Sequence, residues 1–366
     1  MDRKEPDGSL PRKIGRWYRT HRRRLPWRET KDPYKIWVSE VMLQQTTVNA
    51  VIPYYVRWLE LFPDIQALAR APLRRVLKAW EGLGYYQRAR NLHQAARTIC
   101  RKHGGSIPAE FEEFIALPGV GPYIAAAVLS LAFDKPYPVL DANVRRVGMR
   151  LYGFQGKANA RADAVLLARI RGIFPVENGA DFNQALMELG ALICRPKNPG
   201  CLLCPVQSFC RAYQSGEQEV IPAPKSRSFQ QIETVVGIIS DQGKYLIQQR
   251  PAQGLLAGLW EFPGGKREKG ETLREALRRE IKEELGVEVR RERLLLKLRH
   301  AYTRFQVELF VFECELDRSP LPRSPNRRWV GLRALKRYPF PSGSAQIVRF
   351  LEDRDSEKQK RVSVGP

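Results

Sequence analysis

The sequence predicts two domains of different class, an all-α domain followed by an α/β domain, so the fold class is multidomain α and α+β. Three observations predict it. Across most of the first two hundred of the 366 residues, apolar positions recur at helical spacing between Gly- and Pro-containing turns. From about residue 232 the pattern changes to the alternation that strands require. Between the two, residues 214–231 (QSGEQEVIPAPKSRSFQQ) are polar with two prolines, the composition of a linker. The expected bounds are therefore 8–213, a linker over 214–231, 232–353, and a charged tail over 354–366 expected to be disordered. There is no internal repeat.

Charge narrows the partner. There are 62 Lys and Arg against 39 Asp and Glu, a net charge of +23. Cut at residue 220, the first part holds 33 basic and 20 acidic residues, net +13, and the second 29 and 19, net +10. Both parts are basic, so this is not a simple basic tail. Such a balance suits a polyanion, nucleic acid first of all, with a merely solubilising surface as the alternative. Of six cysteines, four fall within residues 194–210, which favours metal ligation over disulfides. The N-terminus is polar and no apolar run reaches membrane-spanning length, so a soluble intracellular protein is expected.

Taken in order, residues 1–30 are basic and include Arg22–Arg24, which a solvated helix face also explains. Trp27 and Arg28 follow, an aromatic ring and a planar cation suited to holding a base. Residues 36–50 (IWVSEVMLQQTTVNA) read as one amphipathic helix with an anomaly. Glu40 lies among Trp37, Val38, Val41, Met42 and Leu43, at the edge of the apolar face, where partial burial raises a carboxyl pKa. Residues 53–104 continue as helices around a loop, Trp80 to Tyr86, whose two glycines and two tyrosines offer stacking tips or core rings. Then comes LPGVGP, residues 117–122, a hairpin expected to need the freedom of Gly119 and Gly121. Pro122 suits the first turn of the apolar helix that follows. The N–H groups of hairpin and helix start together seat a phosphate. Asp141 stands as an N-cap for a helix beginning near Ala142, and helical spacing resumes over 142–193.

Cys194, Cys201, Cys204 and Cys210 follow at 6-2-5 spacing in a Pro-rich loop. Four thiolates can close a soft cage for an Fe–S cluster or zinc, although the usual paired short spacings of a zinc knuckle are absent. In the second domain, 234–240 and 245–250 read as paired strands and 307–316 as another. Gly264 to Val287 is a loop and a Glu-rich helix, and 342–353 is a last helix.

These motifs, in this order, resemble the helix-hairpin-helix DNA glycosylase superfamily, and residues 15–213 resemble its adenine DNA glycosylases of the MutY type. The stretch Ser39 to Thr46 (SEVMLQQT) is similar to the family helix that carries the acid. Tyr123 stands where the endonuclease III pattern has a lysine nucleophile, which implies no Schiff base and a monofunctional enzyme. What the resemblance implies is excision of adenine mispaired with 8-oxoguanine or guanine, after the base is flipped out. In that scheme Glu40 is general acid and base, Asp141 stabilises an oxocarbenium-like sugar, and Tyr123 and Asn143 support the pair. Trp27, Arg28 and Gln184 resemble the base pocket. Gln45 and Tyr85, with Thr46 and Leu83 beside them, resemble the side chains that wedge into the duplex, and Gly119 and Gly121 hold a phosphate. The four cysteines imply a [4Fe–4S] cluster that is structural or redox-modulating.

The C-terminal domain resembles Nudix hydrolases, with the full motif from Gly265 through Glu271 and Arg279 to Val287. In MutY-type proteins that domain reads 8-oxoguanine. Glu280, Glu283 and Glu284 could bind Mg²⁺, although glycosylase activity is not expected to need it. Where many relatives have Phe-Ser-His, this chain has Tyr302, Thr303 and Arg304, and Ala142 stands where Gly is frequent. The expected setting is double-stranded DNA bearing the mispair and a monomer in the bacterial cytoplasm at the nucleoid, with no membrane. A nucleotide-diphosphate hydrolase on a DNA-binding module, and a non-catalytic Fe–S damage sensor, are the competing classes.

Overall fold

The computed structural model describes residues 9–224, 230–302, 305–317, 321 and 324–363. The chain divides into two compact units, Met1–Arg70 with Asn91–Ser226, and Ala71–Arg90 with Arg227–Pro366.

The first unit is helical. Helix α1, Ser9–His21, buries Leu10, Ile14, Trp17 and Tyr18, one stripe at helical spacing, and leaves its basic residues outside. A 3-10 turn, Pro26–Arg28, precedes α2, Pro33–Leu43, whose N-cap Asp32 accepts the Tyr34 and Lys35 N–H groups. The single helix expected over 36–50 is two. α2 ends at Leu43, Gln45 takes φ 60, and α3, Val48–Leu61, starts afresh. A left-handed residue cannot continue a right-handed helix, and no capping glycine marks the break in the sequence. α2 also has almost no polar face, because Ile36 to Met42 are all buried and it packs against α3 and the later helix α8, Pro122–Phe133.

Helix α4, Ile65–Arg70, closes this stretch, while α5, Leu73–Ala79, falls in the second unit. α6 is Gln87–Lys102 and α7 is Phe111–Ile115. The hairpin then leads into α8, Pro122–Phe133. Gly119 has φ 75, and a Cβ there would lie 2.5 Å from the Asn91 Cβ, so this glycine is required. Gly121 is not, since its φ of −97 is open to any residue and nothing lies within 4 Å of its missing Cβ. α9, Ala142–Tyr152, starts where expected, and Asp141 caps it by accepting the Val144 N–H. α10, Ala160–Gly172, and α11, Gly179–Leu192, complete the bundle, with α9 and α1 both packed on α11. The cysteine loop follows, ending in the short α12, Arg211–Gln214.

The second unit is a mixed sheet between helices. Strand β1, Gln230–Asp241, turns at once into antiparallel β2, Lys244–Gln249. β2 is flanked by β3, Trp260–Glu261, and by β7, Arg327–Gly331. β1 also pairs antiparallel with β4, Gly264–Lys266, and parallel with β6, Phe305–Leu316. Helix α13, Leu273–Leu285, covers one face, fixed by a Thr272–Glu275 capping box and ended by Gly286 at φ 74. Val235 and Ile239 face α13, whereas Val236 and Ile238 join the core on the other face. That second core is completed by α14, Leu332–Leu335, and α15, Ser342–Ser363.

Two features differ from the sequence expectation. β5, Val289–Tyr302, is a long strand paired antiparallel with β6, Tyr302 opposite Phe305. Its run of arginines and leucines, interrupted by register shifts at 289–291 and 294–296, hides the period of two. The last helix runs through Ser363, into the expected tail.

Candidate active site

The first unit holds a cleft of about 840 Å³ lined by, among others, Trp27, Arg28, Glu40, Gln45, Thr46, Tyr123, Asp141, Asn143 and Gln184. Nine residues singled out from separate stretches of sequence thus share one cavity.

Glu40 is 3% exposed, deeper than its place in the sequence suggests. Its Oε2 accepts a 2.7 Å hydrogen bond from the Tyr123 hydroxyl in the first turn of α8. Burial pushes its carboxyl up to about 7 against the lowering effect of Tyr123, and the nearby Asp141 charge adds to the rise. Asp141 Oδ1 accepts the Val144 N–H at 2.6 Å and Oδ2 accepts Asn143 Nδ2 at 2.9 Å. A helix terminus favours an ionised carboxylate. The Asp141 pKa is instead raised, because burial outweighs the Val144 and Asn143 donors and the Arg146 charge. Glu40 is the carboxyl whose pKa reaches about 7.

The supporting shell was not visible in the sequence. Asn183, fully buried on α11, donates to Ser130 and to the Tyr137 carbonyl, and its Oδ1 accepts the Val139 N–H. This pins the extended segment that delivers Asp141. Arg146 donates to Asn143 Oδ1 at 2.9 Å, to the Gly190 carbonyl at 2.7 Å and to the Cys194 carbonyl at 2.7 Å. Asn143 packs so close to Gly190 that a Cβ there would meet it at 2.6 Å. On the other wall, Glu188 is fully buried and receives both Arg23 and Arg28. Burial pushes the Glu188 carboxyl up, but hydrogen bonds from Arg23 and Arg28 outweigh it and hold it down at about 2. The Arg22–Arg24 run is therefore not simply a solvated face. Arg28 also lies 5.7 Å from the Tyr18 ring, and Tyr18 donates to Gln184 Oε1 at 2.7 Å. Trp27 packs edge-on against Tyr55, ring centres 5.3 Å apart. Trp27, Arg28 and Gln184 are thus held by partners that cannot be paired with them by sequence spacing.

Gln45 is exposed on the bend between α2 and α3. Gly119 and Gly121 sit on the hairpin and do not line the cleft. Leu83 and Tyr85 belong to the second unit, where Leu83 is 6% exposed and Tyr85, partly exposed, has φ 47. The side chain of Tyr302 and all of Thr303 and Arg304 lie outside the described residues.

Cys194, Cys201, Cys204 and Cys210 are all free and partly exposed, and each of Cys201, Cys204 and Cys210 senses the charge of Cys194. Arg150, 2% exposed, donates to Cys194 Sγ at 3.4 Å and to the Arg195 carbonyl at 2.6 Å. Among the described residues no three His, Cys, Asp or Glu side chains converge tightly enough to hold a single metal ion. The four gathered thiols with a guanidinium at hand do fit a larger thiolate-bound group, soft donors beside a compensating charge.

In the second unit the Glu-rich helix is occupied by itself. Arg279 takes Glu271 at 2.7 Å, Glu280 at 3.0 Å and Glu283 at 3.3 Å, and Glu284 accepts the Gly264 N–H at 2.8 Å. Burial pushes Glu284 up to about 7. Glu280 and Glu283 are both engaged by this one arginine, Arg279. Among the described residues no helix is long and apolar enough to cross a membrane.

Comparison with known proteins agrees with both units. Residues 38–169 match the family of HhH-GPD superfamily base excision DNA repair proteins, and residues 234–349 match the NUDIX domain. Adenine DNA glycosylase of Buchnera aphidicola subsp. Schizaphis graminum is 38% identical over 250 residues, 68% of this chain and 72% of the relative. The mouse adenine DNA glycosylase is 33% identical over 402 residues, 94% of this chain and 78% of the relative. Among solved structures, a thermostable thymine-DNA glycosylase superposes with TM-score 0.52 at 31% identity, covering 57% of this chain and 96% of its own. A non-covalent endonuclease III–DNA complex gives TM-score 0.50 at 23% identity, with 57% and 95% covered, and shows the shared fold.

Proposed function

The chain belongs to the adenine DNA glycosylase family, a base excision repair hydrolase of N-glycosyl bonds, and from that premise we propose that it removes adenine mispaired with 8-oxoguanine or guanine. The observation that carries this reading is the buried Glu40, near-neutral in pKa, hydrogen-bonded to Tyr123 and set against Asp141 in one cleft.

The chemistry follows from that geometry. Adenine flipped from the duplex is held by Trp27, Arg28 and Gln184, at an unstacking cost of a few kcal/mol. Glu40, protonated, gives its proton to adenine N7 as the N-glycosidic bond breaks and its electron pair leaves with the base. Asp141, ionised, stabilises the positive charge that develops at the sugar, with Asn143 and the start of α9 holding its oxygens. Water adds to C1′, and Glu40, now a carboxylate, takes the proton from that water and is restored. Tyr123 brings a hydroxyl where a lyase has an amine, so no covalent enzyme–sugar imine forms and the strand is left intact.

Cys194, Cys201, Cys204 and Cys210 would hold a [4Fe–4S] cluster, which supplies no bond-breaking step and acts on structure or redox state. The Nudix-like unit supports the reading of 8-oxoguanine, and Mg²⁺ at Glu280, Glu283 and Glu284 is not part of the excision. Gln45 and Thr46 on the exposed bend, with Leu83 and Tyr85, are proposed as the duplex wedge, and Gly119 and Gly121 as a phosphate seat.

Single-turnover reactions on duplexes with adenine opposite 8-oxoguanine, guanine or cytosine test this. Adenine release opposite 8-oxoguanine, with strand breaks appearing only after alkali, is the expected result. Release from none of the three overturns it.

A further inference from the structure

The stretch proposed to wedge into the duplex is built into the Nudix-like unit by side chains at its two ends. Glu81 Oε2 accepts the Phe340 N–H at 2.9 Å, and the Tyr86 hydroxyl donates to the Phe340 carbonyl at 2.8 Å. Both main-chain groups of one residue are thus taken by the residues that bracket Gly82–Tyr85. Lys78 completes the clamp, pairing with Glu81 at 2.8 Å and donating to the Tyr338 carbonyl at 3.1 Å. Phe340 is 1% exposed and Tyr86 4%, so the Tyr86–Phe340 hydrogen bond is buried and costly to leave unmade, while the Glu81–Phe340 bond is partly buried.

Between its pinned ends the loop is stiff. Trp80 Nε1 donates to the Gly84 carbonyl at 3.0 Å. Arg88 donates to the Leu83 and Gly84 carbonyls at 3.1 and 3.2 Å, and its guanidinium lies 5.2 Å from the Trp80 ring and 5.6 Å from that of Tyr85. A stiff loop held at both ends goes where its anchor goes. The anchor is part of the sheet's own core, since Phe340 stacks on Phe262 with ring centres 5.8 Å apart and the preceding Pro339 carbonyl accepts the Trp260 N–H at 2.9 Å.

We propose that Glu81 and Tyr86 are specificity-determining positioning residues. Through Phe340 they tie the Leu83–Tyr85 loop to the lesion-reading unit, so that engagement of 8-oxoguanine and placement of the wedge are one event. Guanine, engaging that unit less well, leaves the wedge less well placed, and excision opposite it is slower. This inference rests on the functional reading above.

The test measures single-turnover adenine release from duplexes bearing A opposite 8-oxoguanine and A opposite guanine, with full-length wild type, Glu81→Ala, Tyr86→Phe and Glu81→Gln. Glu81→Ala and Tyr86→Phe are expected to lower the ratio of the two rates by about fivefold or more, in the range of an ordinary coupling between sites, with the slower reaction opposite guanine changed less than about twofold. Glu81→Gln keeps an oxygen acceptor for the Phe340 N–H and is expected to retain most of the ratio. A ratio unchanged in both disruptive variants overturns the clamp. So do parallel losses on both duplexes, which mark a merely structural role, and equal behaviour of Glu81→Ala and Glu81→Gln. Wild type that releases adenine from neither duplex overturns the functional reading instead, which separates the two failures.

Discussion

Replacing Glu40 by Gln should kill the reaction and strengthen the fold. The carboxyl is 3% exposed and carried from an ordinary 4.5 to about 7, chiefly by burial. In the unfolded chain Glu40 ionises near its ordinary value, whereas in the folded protein it resists ionisation until pH reaches about 7. The folded state is therefore penalised progressively as pH rises from about 4.5 to about 7, and fully above that. A rise of this size corresponds to about 3 kcal/mol at pH 8, as an upper bound, and to under about 1 kcal/mol at pH 5. Glutamine removes the charge yet keeps an oxygen to accept from Tyr123, so the variant should recover most of that penalty. For a unit of this size the midpoint of its unfolding should rise by roughly 6–12 °C at pH 8 and by much less at pH 5. Calorimetry at the two pH values measures the stability effect, and single-turnover kinetics measures adenine release, expected to fall by roughly 10²–10⁴-fold or more. Equal stabilisation at pH 5 and pH 8, or retained turnover, would refute the reasoning, because both effects are drawn from the same buried, titrating carboxyl.

Other consequences are open to direct measurement. The wild-type excision rate should fall as pH rises through about 7, when Glu40 gives up its proton, and a pH–rate profile that stays flat to pH 9 would contradict the acid role. Glu188→Gln should destabilise the first unit by roughly 3 kcal/mol at neutral pH, because two guanidinium groups lose a buried anionic partner. As its carboxyl is depressed to about 2, that stabilisation is present above about pH 4.5 and fades on acidification, and chemical denaturation at pH 7 and pH 3 reads the difference. Cys194→Ser should strip the visible absorbance expected of an Fe–S protein while leaving the Nudix-like unit folded, and an unchanged spectrum would exclude Cys194 as a ligand. DNA affinity should drop steeply between low and moderate salt, as phosphate contacts require, and a flat response would refute the role of the net +23 charge.

Much of the molecule was legible in the sequence because it is encoded locally. The change of period near residue 232, the Asp141 cap, the need for glycine at 119, the crowding of cysteines over 194–210 and the Glu-rich helix before Val287 are each written within a few neighbouring residues. The tertiary structure decided what depends on covering elements from elsewhere in the chain. Glu40 was placed at the edge of a face, but α3 and α8 close over α2 and bury it, and that burial sets its pKa. Glu188 meets Arg23 and Arg28 across roughly 160 positions of chain, and Phe340 meets Glu81 across 259. No window of sequence contains both partners of such a contact. The grouping of Ala71–Arg90 with the second unit depends on such distant contacts too, whereas the break at Gln45 and the strand character of Val289–Tyr302 are hidden locally, by a missing capping glycine and by register shifts. Periodicity and caps are properties of a segment, whereas burial, charge pairing and pKa belong to the packing around it.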